Sequence, residues 1–199
     1  MSEEKREIIL RAARKAFAEK GFAAVGIREI AREAGLNSAT LYHYFENKER
    51  LYAAVLEETF DRMVAILHEI SQTDREPTEQ LRYAIGRYID FIHENREVLK
   101  ILIHELNLET EIVAQVSRKF YDRFFAVAEE MLESRRGTPG IREVDPKNLL
   151  ISGIGLCVIY FVIAPLFSQL ERKDQLTPEH LGKWKESVSD LMLYGIVER

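Results

Sequence analysis

The stretch from Asn37 to Lys48, NSATLYHYFENK, gathers the residues best suited to recognition chemistry. Leu41 and Phe45 can anchor a short helix, which leaves Ser38, Ala39, Thr40, Tyr42, His43 and Tyr44 free to face outward or sideways. Hydroxyls, phenols and an imidazole can both donate and accept hydrogen bonds. Elsewhere there is no nucleophile–base motif, glycine-rich phosphate loop or cysteine cluster, so neither catalysis nor a cofactor is expected. His93 and His104 are eleven residues apart, with Glu94, Glu97 and Glu105 nearby. Metal-ligand pairs on helices normally sit three or four apart, and a break is expected near Asn95, so no metal site is expected.

The elements that must position these groups read as helices almost throughout. Ile9, Ala13, Ala16 and Phe17 mark one apolar face of a helix from about Glu3 to Lys20, stopped by Gly21. A short helix over Ile27–Ala34 is closed by Gly35, and Asn37 caps the next, Ser38–Tyr44. Two short helices joined by a glycine-containing turn predict a helix-turn-helix, whose second helix enters the major groove of DNA. Asn47 can cap a long fourth helix from Lys48 to about Ile70. Five further helices follow: Pro77–Glu94, Arg96–Leu106, Glu109–Arg135, Lys147–Leu170 and Pro178–Val197. The expected fold is therefore all-α with about nine helices. Residues 1–47 are expected to form the DNA-binding head, and residues 48–199 a helical bundle.

The head resembles the DNA-binding domain of the TetR family of regulators. The matching residues are Phe17, Gly21-Phe22, Ile30-Ala31, Ala34-Gly35-Leu36, the run Thr40–Phe45, Asn47-Lys48-Glu49 and Leu51. The resemblance implies that Tyr42 and His43 contact phosphates and base edges. Lys48 and the start of its helix would grip one phosphate, Thr40 would bond to backbone or base, and Arg28 would contact guanine or phosphate. Ser38, Ala39 and Tyr44 complete the candidate surface, although Tyr44 reads equally well as core; Phe45 reads as core. Three departures from the family pattern are visible. Val25 and Gly26 stand where Thr or Ser is usual, Ser38 replaces a common lysine, and Ala39 a common glycine.

Beyond the head, Tyr83, Phe91, Tyr121, Phe124, Phe125, Tyr160 and Phe161 supply a large aromatic surface, either an effector pocket or ordinary core. His104, Asn107, Tyr121 and Tyr160 are the candidates to orient a small-molecule effector. The run from Leu149 to Phe167 carries no charge over 19 residues, long enough to suggest a membrane span. Ser152, Gly153, Gly155 and Pro165, and the amphipathic residues that follow, favour burial within a dimer and no membrane. Leu181, Trp184, Val188, Leu191 and Gly195, spaced 3, 4, 3 and 4, form a packing seam on the last helix. With Leu156 they are the expected homodimer interface, although packing within the chain would explain the seam too.

The charge balance agrees faintly with nucleic-acid contact. The net charge is -5, but residues 1–50 hold 10 Lys and Arg against 8 Asp and Glu, and the remainder 18 against 25. A single cysteine, Cys157, and an N-terminus without an apolar leader lead us to expect a cytoplasmic protein. By resemblance the function is a homodimeric repressor, released from a palindromic operator on double-stranded DNA by a hydrophobic or amphipathic effector. Two alternatives stand beside it: a regulator anchored in the membrane through residues 149–167, and a helical small-molecule-binding protein or enzyme with a vestigial head.

Overall fold

The computed structural model describes residues 3–105, 111–133 and 144–196. Among the described residues there are nine helices and no strand: α1 (Glu3–Ala24), α2 (Ile27–Glu33), α3 (Ser38–Tyr44), α4 (Lys48–Ser71), α5 (Pro77–Glu94), α6 (Arg96–Glu105), α7 (Glu111–Glu133), α8 (Pro146–Glu171) and α9 (Pro178–Ile196). The expected all-α architecture is present. The helix ends expected at Leu106, Glu109, Arg135 and Val197 lie outside the described residues, as does Asn107.

Local chemistry explains where the first helices start and stop. Gly21 adopts φ 75 and ψ 164, which breaks α1 as expected, but one more turn, Phe22–Ala24, follows the break. Gly35, at φ 67, makes the turn between α2 and α3, where a Cβ would be strained. Asn37 caps α3 by accepting from the Thr40 amide at 2.7 Å, and Asn47 accepts from the Arg50 amide at 2.8 Å at the start of α4. Asp145 caps α8 in the same way, through the Asn148 amide at 2.8 Å, with Pro146 in the first turn. Helix α8 runs through Pro165 to Glu171 and ends at Arg172, which takes the left-handed conformation.

The chain divides into two compact units, and neither is one continuous segment. One comprises Met1–Arg62 with Asn95–Tyr121, the other Met63–Glu94 with Asp122–Arg199. The expected boundary at residue 47 differs from this division because α6 packs along α1 and finishes the core of the head. That core joins Ile9, Ala13 and Phe17 of α1 to Ile30, Leu41, Leu51, Val55 and, from α6, Val98 and Ile101, all nearly inaccessible. Phe17 meets Tyr52 edge-on at 4.9 Å, and Phe60 stacks on Phe120 at 4.3 Å.

In the second unit α5 packs against both α8 and α9. Ion pairs Arg82–Asp190 at 2.7 Å and Lys185–Asp90 at 2.6 Å border the α5–α9 contact. Gly153 of α8 admits Met192 of α9: a Cβ there would lie 3.0 Å from the Met192 Cε.

Candidate functional site

The turn that carries the reading helix is built almost entirely by backbone. The Leu36 amide donates to the Ala31 carbonyl at 2.8 Å and Gly35 to Arg32 at 3.1 Å, closing α2. Gly26 starts α2 without a side-chain cap, and the neighbouring Val25 is buried, so the hydroxyl missing from the sequence is missing from the site. Leu41 and Phe45 enter the core, which fixes the rotation of α3 and turns Ala39, Tyr42 and His43 to solvent. Tyr42 is 53% exposed, unusual for so large an apolar ring, and is presented outward. Tyr44 is half-buried and meets His43 edge-on at 5.8 Å.

Other members of the candidate surface are placed less simply. The Thr40 hydroxyl donates to Asn37 Oδ1 at 3.0 Å, so Thr40 serves the cap and keeps only its lone pairs for DNA. Ser38 is half-buried, whereas Arg28 is exposed. Lys48 Nζ stands 3.5 Å from the Ala23 carbonyl and 4.4 Å from the centroid of the Phe22 ring. The short turn after Gly21 therefore holds the ammonium at the head of α4 by a cation–π contact. Sequence reasoning assigned Phe22 no such part, although its place beside Gly21 was visible.

The charge left over near the reading helix is positive. The two carboxylates of α2 are met by lysines of α1: Glu33 by Lys15 at 2.6 Å, and Glu29 by Lys20. The hydrogen bond to Lys15 and its charge hold the Glu33 carboxyl below its ordinary range. Arg28 and Arg32, both exposed, then set the sign of the α2 surface.

The second unit holds a partly open cavity of about 140 Å³, walled by the last turns of α4, by α5, α8 and single residues of α7 and α9. Phe91 and Phe124 line it. Tyr83, Tyr121 and Tyr160 are not among its walls. Tyr83 donates to Glu69 at 3.2 Å under the Arg75 guanidinium, and Tyr121 is 41% exposed. Tyr160 donates to the Gln175 carbonyl at 2.5 Å, and the Gln175 amide donates to Ser168 Oγ at 3.1 Å, so Tyr160 fastens the α8–α9 connection. His104 lies on α6 with its side chain outside the described residues.

The rest of the wall was missed by sequence, Tyr88 and Cys157 included. Leu81, Ala84, Ile85, Tyr88 and Phe91 follow the helical period of α5, so the signal was present. Burial pushes the Cys157 thiol up to about 12. Burial, and then the Cys157 sulfur, push the Tyr88 phenol well above its ordinary value. No group of three His, Cys, Asp or Glu able to hold a metal is found among the described residues, and His93 lies against the Phe161 ring.

The expected dimer seam divides. Leu181 and Val188 are buried inside the second unit, and Trp184 stacks on Tyr160 at 4.9 Å. These three are used within the chain because α9 turns that face onto α5 and α8. Leu156 is half-buried, and Leu191 stays 61% exposed. The outward apolar residues instead include Ile151, Ile159, Val162, Leu166, Phe167 and Leu170 of α8, with Leu191 and Tyr194 of α9. Helix α8 is, by length and composition, apolar enough to cross a membrane, and only 17% of its most apolar window is buried.

Comparison with known proteins agrees with this geometry. The family described as bacterial regulatory proteins, tetR family, matches residues 9–55, and the family described as tetracyclin repressor-like, C-terminal domain, matches residues 77–192. The transcriptional activator FasR of Mycolicibacterium smegmatis is 33% identical over 57% of this chain, a match spanning about half of the relative (52%). The transcriptional repressor NicS of Pseudomonas putida is 27% identical over 96% of this chain and 92% of its own. In fold, the chain is similar to the regulator FadR of Bacillus subtilis, solved with stearoyl-CoA. That likeness has a TM-score of 0.77 at 20% identity and covers 96% of this chain and 98% of that one. The second family match alone takes in more than half of the residues, and with the first it spans the reading head and most of the cavity wall: the chain belongs to the TetR family of bacterial transcription regulators.

Proposed function

We propose that this regulator acts as a homodimer on a palindromic operator and is released when the cavity takes up an apolar, chain-like effector, the acyl part of an acyl thioester being the leading candidate. The observation that carries the reading is one chain holding both a displayed recognition helix and an apolar cavity. Helix α4 runs without interruption from Lys48 at the first to Met63, Ile66, Leu67 and Ile70 at the second. An effector that packs against these residues more tightly in one position of α4 would bias the helix, and with it Lys48 and the neighbouring α3. FadR of Bacillus subtilis was solved with stearoyl-CoA, and an acyl chain suits walls made of Leu, Ile, Met and Phe.

Tyr42, His43, Lys48 and Arg28 are the proposed DNA contacts, with Ser38, Ala39, Thr40 and Tyr44 framing them. Two heads are needed because α3, at seven residues, reads only a short half-site. The exposed apolar face of α8 and the end of α9 would be the dimer contact, since a face of this kind is unusual on a free soluble chain. Repression is the preferred sense, although FasR is an activator and NicS a repressor. Binding-site selection with the purified full chain should return an inverted repeat, and stearoyl-CoA should release it. Selection of no inverted repeat would overturn the reading. The exposure of α8 also favours a second reading, a membrane-held regulator; recovery of the expressed chain in the detergent-free soluble fraction would exclude it.

A further inference from the structure

Sixteen described residues wall the cavity of the second unit, and among them no side chain carries a charge. Leu, Ile, Met, Phe, Ala and Gly make up fourteen of them; the other two are Tyr88 and Cys157. The tyrosine hydroxyl is the only strong hydrogen-bonding group on this wall, because a thiol is a weak donor. No hydrogen bond to the Tyr88 hydroxyl is made among the described residues. A donor set in an apolar wall without a protein acceptor is poorly satisfied, and a ligand that supplies an acceptor gains that bond. A ligand that brings a carboxylate or an ammonium into the same space would lose its hydration and meet no counter-ion.

We propose that Tyr88 is the specificity-determining donor of this cavity, selecting a ligand whose inserted segment is uncharged and chain-like and carries one hydrogen-bond acceptor, a carbonyl being the simplest such group. The inference rests on the cavity being the effector site, and it narrows the ligand class there. A bare hydrocarbon would fill the space but leave the phenol unpaired, and a fatty acid would enter only with its carboxylate left outside. Tyr88 remains a donor across the physiological pH range, since its burial disfavours the phenolate. The Cys157 thiol likewise stays protonated, so it adds no negative charge against the acceptor.

The test uses the full chain and three probes of matched length. They are 2-octanone; 2-methyl-1-octene, in which a methylene replaces the carbonyl oxygen; and octanoate. Binding is read near neutral pH by displacement of the uncharged fluorophore N-phenyl-1-naphthylamine. The wild-type chain should prefer the ketone to the alkene by about tenfold, the value of one net hydrogen bond. Tyr88→Phe should bring the two within about twofold of each other by weakening the ketone alone. Octanoate should be the weakest of the three.

An infrared spectrum supplies a second readout that a merely structural role for Tyr88 would not move. The carbonyl stretch of bound 2-octanone should fall in frequency on the wild-type chain and return towards its apolar-solvent value on Tyr88→Phe. If ketone and alkene both bind but their ratio and the carbonyl stretch ignore the substitution, the role of Tyr88 is overturned and the cavity reading survives. Octanoate binding as tightly as the ketone would overturn the exclusion of charge. If neither ketone nor alkene displaces the fluorophore from the wild-type chain, the cavity reading itself fails, and the inference with it.

Discussion

Helices α3 and α8 handle apolar residues in opposite ways. In α3, Leu41 is fully buried, the adjoining Phe45 nearly so, and between them stand the exposed Tyr42 and His43 and the half-buried Tyr44. In α8, Cys157, Phe161 and Ala164 are buried, while Ile151, Leu166 and Leu170 are each more than half exposed. Helix α3 is thus complete within its own unit, and what it shows outward is meant for a polar partner. Helix α8 is apolar on nearly all sides, so one face serves the chain's own core and another is left for something apolar. The difference teaches that outward display has two meanings, and that the chemistry of the displayed residues separates them.

The largest effect should come from charging the α8 face. Ile159→Glu combined with Leu166→Glu should convert dimer to monomer in light scattering and weaken operator binding by about 100-fold or more, through loss of the second head. A fully dimeric double variant would break the comparison at its α8 side. Leu41→Ala should cost about 2–5 kcal/mol in urea unfolding, as a large-to-small change in a packed core. The exposed Leu166→Ala should cost under about 0.5 kcal/mol when unfolding is followed at a concentration where the chain is monomeric. Equal costs for the two would show that α8 is as complete as α3.

At the head, Lys48→Ala should weaken operator binding by about tenfold and lower the salt dependence by about one phosphate per subunit. Phe22→Leu, which removes the ring beneath the ammonium, should give part of that loss without changing the salt slope. A Phe22→Leu chain that binds like wild type would remove the cation–π contact from the account. Asn37→Ala should destabilise the head by about 1 kcal/mol, since the cap on Thr40 is lost.

The smallest effect concerns pH and belongs to the second unit. The folded Cys157 thiol holds its proton up to about 12, above the ordinary thiol value. Its contribution to stability is complete below that ordinary value and is lost as pH rises through the window up to about 12, where the unfolded chain ionises first. Cys157→Ala should therefore flatten the alkaline decline in stability measured by urea unfolding. An unchanged decline would assign it to other groups.

Much of the head was legible because its determinants are local. Gly21, Gly35, Asn37 and Asn47 act within a few residues of themselves, through positive φ or through a side chain that bonds an amide three positions on. The apolar period then placed Leu41 and Phe45 inside and left Tyr42 and His43 outside. The second unit was less legible. Tyr83, Tyr88 and Tyr160 are the same residue type on helices of the same kind, and only Tyr88 reaches the cavity wall.

Local rules thus decide where helices begin, where they end and which face of each is apolar, so the sequence by itself determined the all-α fold, the turn before α3 and the family resemblance. Periodicity does not say which neighbour an apolar face will meet. Leu181, Trp184 and Val188 make a seam that would serve a partner helix or the chain's own α5 and α8 equally well. Only the tertiary structure turned that seam inward, left the α8 face outward and set Tyr88 in an uncharged wall. Those outcomes depend on contacts between residues far apart in sequence, where shape and burial decide and spacing along one helix carries no information.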